Sequence, residues 1–152
     1  MADDETGELY IGEEGTAVWK FNAMPGQGDQ KTAIARVQPD GELTADIEGV
    51  SIYHQEDGNG YIVVSSQGSD SFAVYDRQVP HQYRGMFRIR ADMDSGIDGV
   101  SETDGLDVSS TSLPGFPEGL MVTQDGRNIE PAENQNFKFI SWSDIKAALN
   151  LP

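Results

Sequence analysis

Two landmarks recur along this chain at one period, and that recurrence limits the fold more tightly than any composition figure. The first is an apolar pair followed four positions later by glycine. It occurs as Tyr10-Ile11-Gly12-Glu13-Glu14-Gly15, Val63-Val64-Ser65-Ser66-Gln67-Gly68 and Met121-Val122-Thr123-Gln124-Asp125-Gly126. The closing glycines, Gly15, Gly68 and Gly126, lie 53 and 58 positions apart. The second landmark is Asp46-Ile47-Glu48-Gly49-Val50, matched by Glu102-Thr103-Asp104-Gly105-Leu106, with Gly49 and Gly105 separated by 56 positions. A period of about 55 residues fits a module of about four short strands.

The residues between the landmarks agree. Short β-branched and aromatic runs are bounded by Gly, Asp and Asn, as strands and their turns are. They include Ala17–Phe21, Ala33–Val37, Val50–Tyr53, Tyr61–Val64, Phe72–Tyr75, Met86–Ile89 and Phe137–Ile140. Asp57-Gly58-Asn59-Gly60 between two runs signals a hairpin. The pattern predicts one helix, at the C-terminus, capped by Ser143 and carrying Ile145, Ala148 and Leu149 on one face.

A repeated four-stranded module is the mark of a β-propeller blade. The expected fold is all-β, a partial propeller of about three four-stranded blades with a short C-terminal helix. The expected blades cover residues 1–45, 46–97 and 98–152. The middle blade should be complete between about Gly49 and Arg90, the first should lack its opening strand, and the third should lack its outermost one. Propellers close with about four to eight blades, so three leave two blade faces to be covered by a partner.

Charge narrows the chemistry. The 152 residues carry 10 Lys plus Arg against 26 Asp plus Glu, a net charge of −16. Such a surface repels nucleic acid and anionic membrane and suits multivalent cations. There is no cysteine, so thiolate metal sites and disulfides are excluded. No apolar run reaches the roughly 18 residues of a membrane span, and Met1-Ala2-Asp3-Asp4-Glu5 does not read as a signal peptide.

In a propeller, equivalent positions of successive blades gather around the central channel. Here those positions are acidic: Asp46 and Glu48 match Glu102 and Asp104, and Glu14, Gln67 and Asp125 precede the glycines of the first landmark. Carboxylates brought together this way repel and take up protons unless a cation sits among them. Oxygen donors without His or Cys favour Ca²⁺ over Zn²⁺ or Cu²⁺. The stretch from Asp92 to Asp107 concentrates the signal with six acids in sixteen residues, and it lacks the spacing of an EF-hand. The competing reading is an acidic solvent-facing loop. His54 and His81 have no nucleophile in their vicinity and read as surface residues. Arg84, Arg88 and Arg90 read as a solvated strand face, and Trp19 and Trp142 as core or interface aromatics.

These residues resemble one family, the calcium-dependent, six-bladed β-propeller phytases. The matching stretches are Leu9–Glu14, Ala17–Phe21, Asp46–Gly49, Ser65–Gly68, Asp98–Asp107, Gln124–Ile129 and Gln135–Lys138, in order along essentially the whole chain. The resemblance implies that Glu14, Asp46, Glu48, Asp98 and Asp104 sit where the family binds the calcium ions of its channel and active site. It implies a stabilising calcium site near Asp125 and Asn128. In the family, calcium and basic side chains hold neighbouring phosphates of inositol hexakisphosphate (phytate), and a calcium-bound water attacks phosphorus. Glu14, Glu48 and Asp104 would position that water. The match is to the C-terminal half, about three of six blades, whereas most phosphate-gripping Lys and Arg lie in the other half.

Two functional expectations follow. The chain is part of a calcium-dependent phosphomonoester hydrolase acting on phytate, inactive without the missing half. Alternatively it is a non-catalytic calcium-binding half-propeller that assembles into a ring. The expected partners are phytate or another phosphorylated small molecule, together with the missing half or a second copy. By resemblance, the expected location is extracellular or periplasmic.

Overall fold

The computed structural model describes residues 1–152. Eleven strands form three antiparallel sheets that follow one another along the chain. The first sheet is β1 (Ala2–Asp3), β2 (Glu8–Glu13), β3 (Ala17–Asn22) and β4 (Lys31–Arg36), paired in that order. The second is β5 (Ile47–His54), β6 (Gly60–Ser66), β7 (Ser71–Asp76) and β8 (Tyr83–Phe87), again paired in sequence order. The third is β9 (Leu106–Ser109), β10 (Leu120–Asp125) and β11 (Asn136–Ser141), after which the chain enters α1 (Trp142–Leu149). This is the all-β partial propeller that the repeat implies.

The middle blade is a strand ladder covered on both faces, and its sequence shows why. All seven residues of β6 are buried, and a strand packed on both sides reads as a continuous apolar run. Ile62 and Val64 face the first blade, joining Tyr10, Val18, Ala35, Leu43, Ala73 and Tyr75 in one core cluster. Tyr61 and Val63 face the other way. They join Phe72, Val74, Val108, Met121, Trp142 and Ile145 in a second cluster against the third blade. Truncating a residue such as Ile62, which has no exposed surface, is expected to cost about 2–5 kcal/mol.

Three sequence expectations need correction. The first blade does have an opening strand: Ala2 pairs with Leu9 and Asp3 with Glu8. Its stability comes from the middle blade, because Arg77 reaches across to the buried Asp3 carboxylate. The helix starts two residues earlier than expected, with Ser141 rather than Ser143 preceding its first residue, Trp142. The buried Trp142 ring stacks on Tyr53 with centroids 3.8 Å apart, and this anchors the helix start. Finally, the glycine-anchored alignment puts Met121 opposite Val63, yet Val63 faces the third blade while Met121 faces the middle one. The third repeat is therefore shifted by one residue, which exchanges the two faces of a strand.

The helix folds back over the middle blade. Leu149 lies against Gly85 of β8, where a Cβ would come within 2.9 Å of the leucine Cδ2. Asn150, in the left-handed region, ends the helix.

Candidate metal centre

The three sheets present their landmark residues at one common end. Glu14 follows β2, Asp46 precedes β5, Gln67 follows β6, Asp104 precedes β9, and Asp125 closes β10. Backbone hydrogen bonds join the blades at this end: Ile47 N–H donates to the Glu14 carbonyl at 2.9 Å. Within the middle blade, Gln67 N–H donates to the Asp46 carbonyl at 2.8 Å, and in the third, Gln124 N–H donates to the Gly105 carbonyl at 3.0 Å. Gly68 is required here, since any Cβ would strike the Ala45 carbonyl.

Glu48 occupies a β-bulge. Ile47 pairs with Ser66 and Val50 with Val64, so β5 carries one residue more than β6 across this interval. Bulges of this kind redirect a side chain beside functional sites. Burial, then the nearby carboxylates of Glu14, Asp104 and Asp46, push the Glu48 carboxyl above its ordinary value of 4.5. Glu14 of the first blade, Asp46 of the middle blade and Asp104 of the third thus all act on the Glu48 carboxylate, although their ligating atoms do not form a group within 4.8 Å of one another.

Asp104 is held in place by two glutamines. Gln67 Nε2 donates to its Oδ1 at 2.7 Å, and its own N–H donates to Gln124 Oε1 at 2.7 Å. Beneath it, the buried Ser65 hydroxyl donates to the Thr103 carbonyl and the Thr103 hydroxyl to the Gln124 carbonyl. Glutamine and serine at blade ends give little signal in a single sequence, because their role appears only once strands are paired.

Asp98, Asp125 and Asn128 form a second group. Asp98 and Asp125 are both buried and share the ammonium of Lys138, whose Nζ lies 2.7 Å from Asp125 Oδ2 and 2.5 Å from Asp98 Oδ1. The Lys138 hydrogen bond, partly opposed by burial and reinforced by the Ile129 and Glu130 N–H groups, keeps the Asp98 carboxyl below its ordinary range. Asp98 is therefore partnered with Asp125 around Lys138. Asn128 is buried beside this group, its side-chain oxygen without a hydrogen-bond partner. An orphaned buried carbonyl next to two carboxylates is a donor set suited to a hard cation.

The opposite end of the middle blade carries a cluster the sequence reading missed. One ligating atom each from Asp3, Glu5 and His54 lies within 4.8 Å of the others, and this acidic group could hold a metal. Arg77 already satisfies part of it, with Nη2 at 2.6 Å from Asp3 and 2.7 Å from Glu5. A buried arginine between sequence-distant acids leaves no local motif. His81, expected at the surface, is buried instead: its ring meets Tyr10 edge-on and its Nδ1 lies 3.1 Å from the Asp76 carbonyl.

Most basic side chains are committed to partners: Lys20 to Glu8, Arg77 to Asp3, Arg84 to Asp76, Arg127 to Glu102 and Lys138 to Asp98 and Asp125. Lys31 and Arg36 lie over the Trp19 ring. No helix is long and apolar enough to cross a membrane.

Comparison with known proteins bears on this geometry. The family model described as Phytase matches residues 1–151. The 3-phytase of Bacillus subtilis (strain 168) is 50% identical over 148 residues, covering 95% of this chain and 38% of that protein. The chain therefore spans well under half the length of this curated relative. With its landmark residues, its blades and a family match running from end to end, the chain belongs to the phytase family.

Proposed function

We propose that this chain supplies the calcium-binding portion of a phytase, a hydrolase that releases phosphate from inositol hexakisphosphate. The observation that supports the reading is that Glu14, Asp46 and Asp104, carried by three different sheets, are the charges that act on the Glu48 carboxylate. Carboxylates that act on one another repel, a bound cation would offset that repulsion, and an all-oxygen set fits calcium. Asp98, Asp125 and Asn128 form the second proposed calcium site, where the orphaned Asn128 oxygen fits a cation and Lys138 competes for the same carboxylates.

When bound, calcium would lower the pKa of a water nucleophile and offset charge on the phosphoryl oxygens. The chain's own residues do the positioning. Gln67 and Gln124 fix Asp104, the bulge aims Glu48, and the Glu14 carbonyl ties the first blade to the second. Phosphate recognition needs free cations, and the chain's are largely paired. The chain alone is thus a half-site that repels a highly anionic substrate, and catalysis requires the rest of the ring. As for the relative's class of enzyme, we place its action outside the cytoplasm.

A segment exchange tests this reading. Placing this chain in the corresponding 148-residue region of the Bacillus subtilis 3-phytase should preserve phytate hydrolysis, and Glu48→Gln in that chimera should abolish it. A folded chimera that is inactive, or one indifferent to Glu48→Gln, would contradict the proposal.

A further inference from the structure

The turn between β7 and β8 is anchored by one side chain. In the run Gln78-Val79-Pro80-His81-Gln82, every residue is exposed except His81. The apolar Val79 is 71% exposed while the titratable His81 is 7% exposed, the reverse of what hydration favours. The backbone at His81 is left-handed, with φ 59°, a conformation that Asn, Asp and His adopt more readily than other side chains. Its ring enters the seam between the first and middle blades and meets Tyr10 edge-on, with centroids 5.9 Å apart.

The seam suits only a neutral imidazole. Nδ1 lies 3.1 Å from the Asp76 carbonyl, which can only accept, so Nδ1 carries the proton and Nε2 the lone pair. Nε2 is fully buried and has no hydrogen-bond partner. A second proton would create a buried, charged donor without an acceptor. The carboxylates around it are already engaged. Glu8 accepts from the Tyr10 hydroxyl at 2.7 Å and from Lys20 at 2.8 Å. The Asp76 carboxylate is held by Arg84, with both oxygens 2.7 Å from guanidinium nitrogens. Arg77, the neighbouring cation, is bound to Asp3 and Glu5. Burial holds the imidazole below its ordinary value of 6.5, with Lys20 acting in the same direction and the Asp76 carbonyl and Glu8 opposing it.

We propose that His81 is an acid-sensitive latch: as a neutral imidazole it pins the β7–β8 turn to Tyr10 of the first blade, and as an imidazolium it leaves the seam and releases that turn. Because the rest of the turn is exposed, the ring can swing into water without drawing another residue of the run out of the core. The latched form binds fewer protons than the released one below pH 6.5. Its contribution is therefore complete above that pH and is lost as pH falls through the lower value of the latched form. Arg77 holds Asp3 until its carboxyl titrates at about 2, so the opening strand stays in place while the turn is released. The acid response of this seam has two stages, and the latch is the first.

Proton NMR and hydrogen exchange of the whole chain in EDTA, from pH 7.5 to 4, test the proposal. The chain has two histidines, and His54→Asn tells their imidazole signals apart. His81 should titrate below 6.5. As it does, the protection factors of the Gln78, Val79 and Gln82 amides should fall at least about tenfold while those of β6 hold. Thermal melts give a second reading. His81→Asn keeps a residue that tolerates the left-handed turn but takes up no proton, so its melting temperature should fall less than that of wild type between pH 7.5 and 5. Glu48, whose carboxyl lies above its ordinary value, is common to both proteins and drops out of the comparison. A His81 that titrates at 6.5 or above, or not at all by pH 4, would overturn the latch. So would protection that is unchanged through its titration, or equal falls in melting temperature for the two proteins.

Discussion

The Lys138 ammonium bridges Asp98 and Asp125, three sequence-distant groups that are all at least nine-tenths buried. Removing one partner of a buried ion network leaves uncompensated charge, at a cost of about 3–5 kcal/mol. Lys138→Met should therefore destabilise the chain by about that amount in EDTA. Because the two carboxylates and the Asn128 oxygen are then free for a cation, calcium should restore more stability to the variant than it adds to the wild type. Urea unfolding of both proteins, with and without calcium, measures the difference.

Asp3 sets the acid limit of the first blade. Burial by itself would raise its carboxyl, but the hydrogen bonds and charge of Arg77 outweigh it and hold it at about 2, against an ordinary 3.8. The folded form thus binds fewer protons than the unfolded one between these values. The stabilisation is present above about pH 4 and is lost as pH falls toward 2. Asp3→Asn should flatten that part of the stability profile, and thermal melts from pH 2 to 5 will show whether it does.

The column under Asp104 should matter for the metal rather than for the fold. Gln67→Ala removes the 2.7 Å hydrogen bond to Asp104 Oδ1 at the channel end. A hydrogen bond to a charged group contributes about 1.5–3 kcal/mol. Part of that stabilises the rigid placement of the carboxylate, so calcium affinity should fall severalfold while the melting temperature in EDTA changes little. Equal affinity for Gln67→Ala and wild type would show that Asp104 needs no such support.

Catalysis offers a further check. The pure chain in excess calcium should release little or no phosphate from phytate, since most of its cations are committed to internal partners. Colorimetric phosphate release decides the matter, and sustained turnover would mean that the half-site grips phosphate unaided.

Much of the fold is legible in the sequence. The seven strand-length runs named from the sequence fall on strands because each alternates or buries as its β-branched residues require, and the repeat implied the number of sheets. Glu14, Asp46, Glu48 and Asp104 could be proposed together because equivalent positions of a repeat lie at the same end of successive blades. Asp98 was harder to place. Its partner, Lys138, lies 40 positions away, and nothing local marks a lysine on an alternating strand as buried. The opening strand at Ala2–Asp3 escaped for a related reason: two residues carry no period, and Arg77 of the middle blade stabilises them. The one-residue shift of the third repeat was hidden by the glycine that anchors the alignment.

The central claim is that carboxylates from successive blades share calcium at the channel end. Isothermal titration of calcium into wild type, Asp104→Asn and Glu133→Gln tests it most directly. Asp104 belongs to the converging group, whereas Glu133 is an exposed loop residue. The account predicts a marked loss of affinity for Asp104→Asn and an unchanged isotherm for Glu133→Gln. Indistinguishable titrations for the two variants would contradict it.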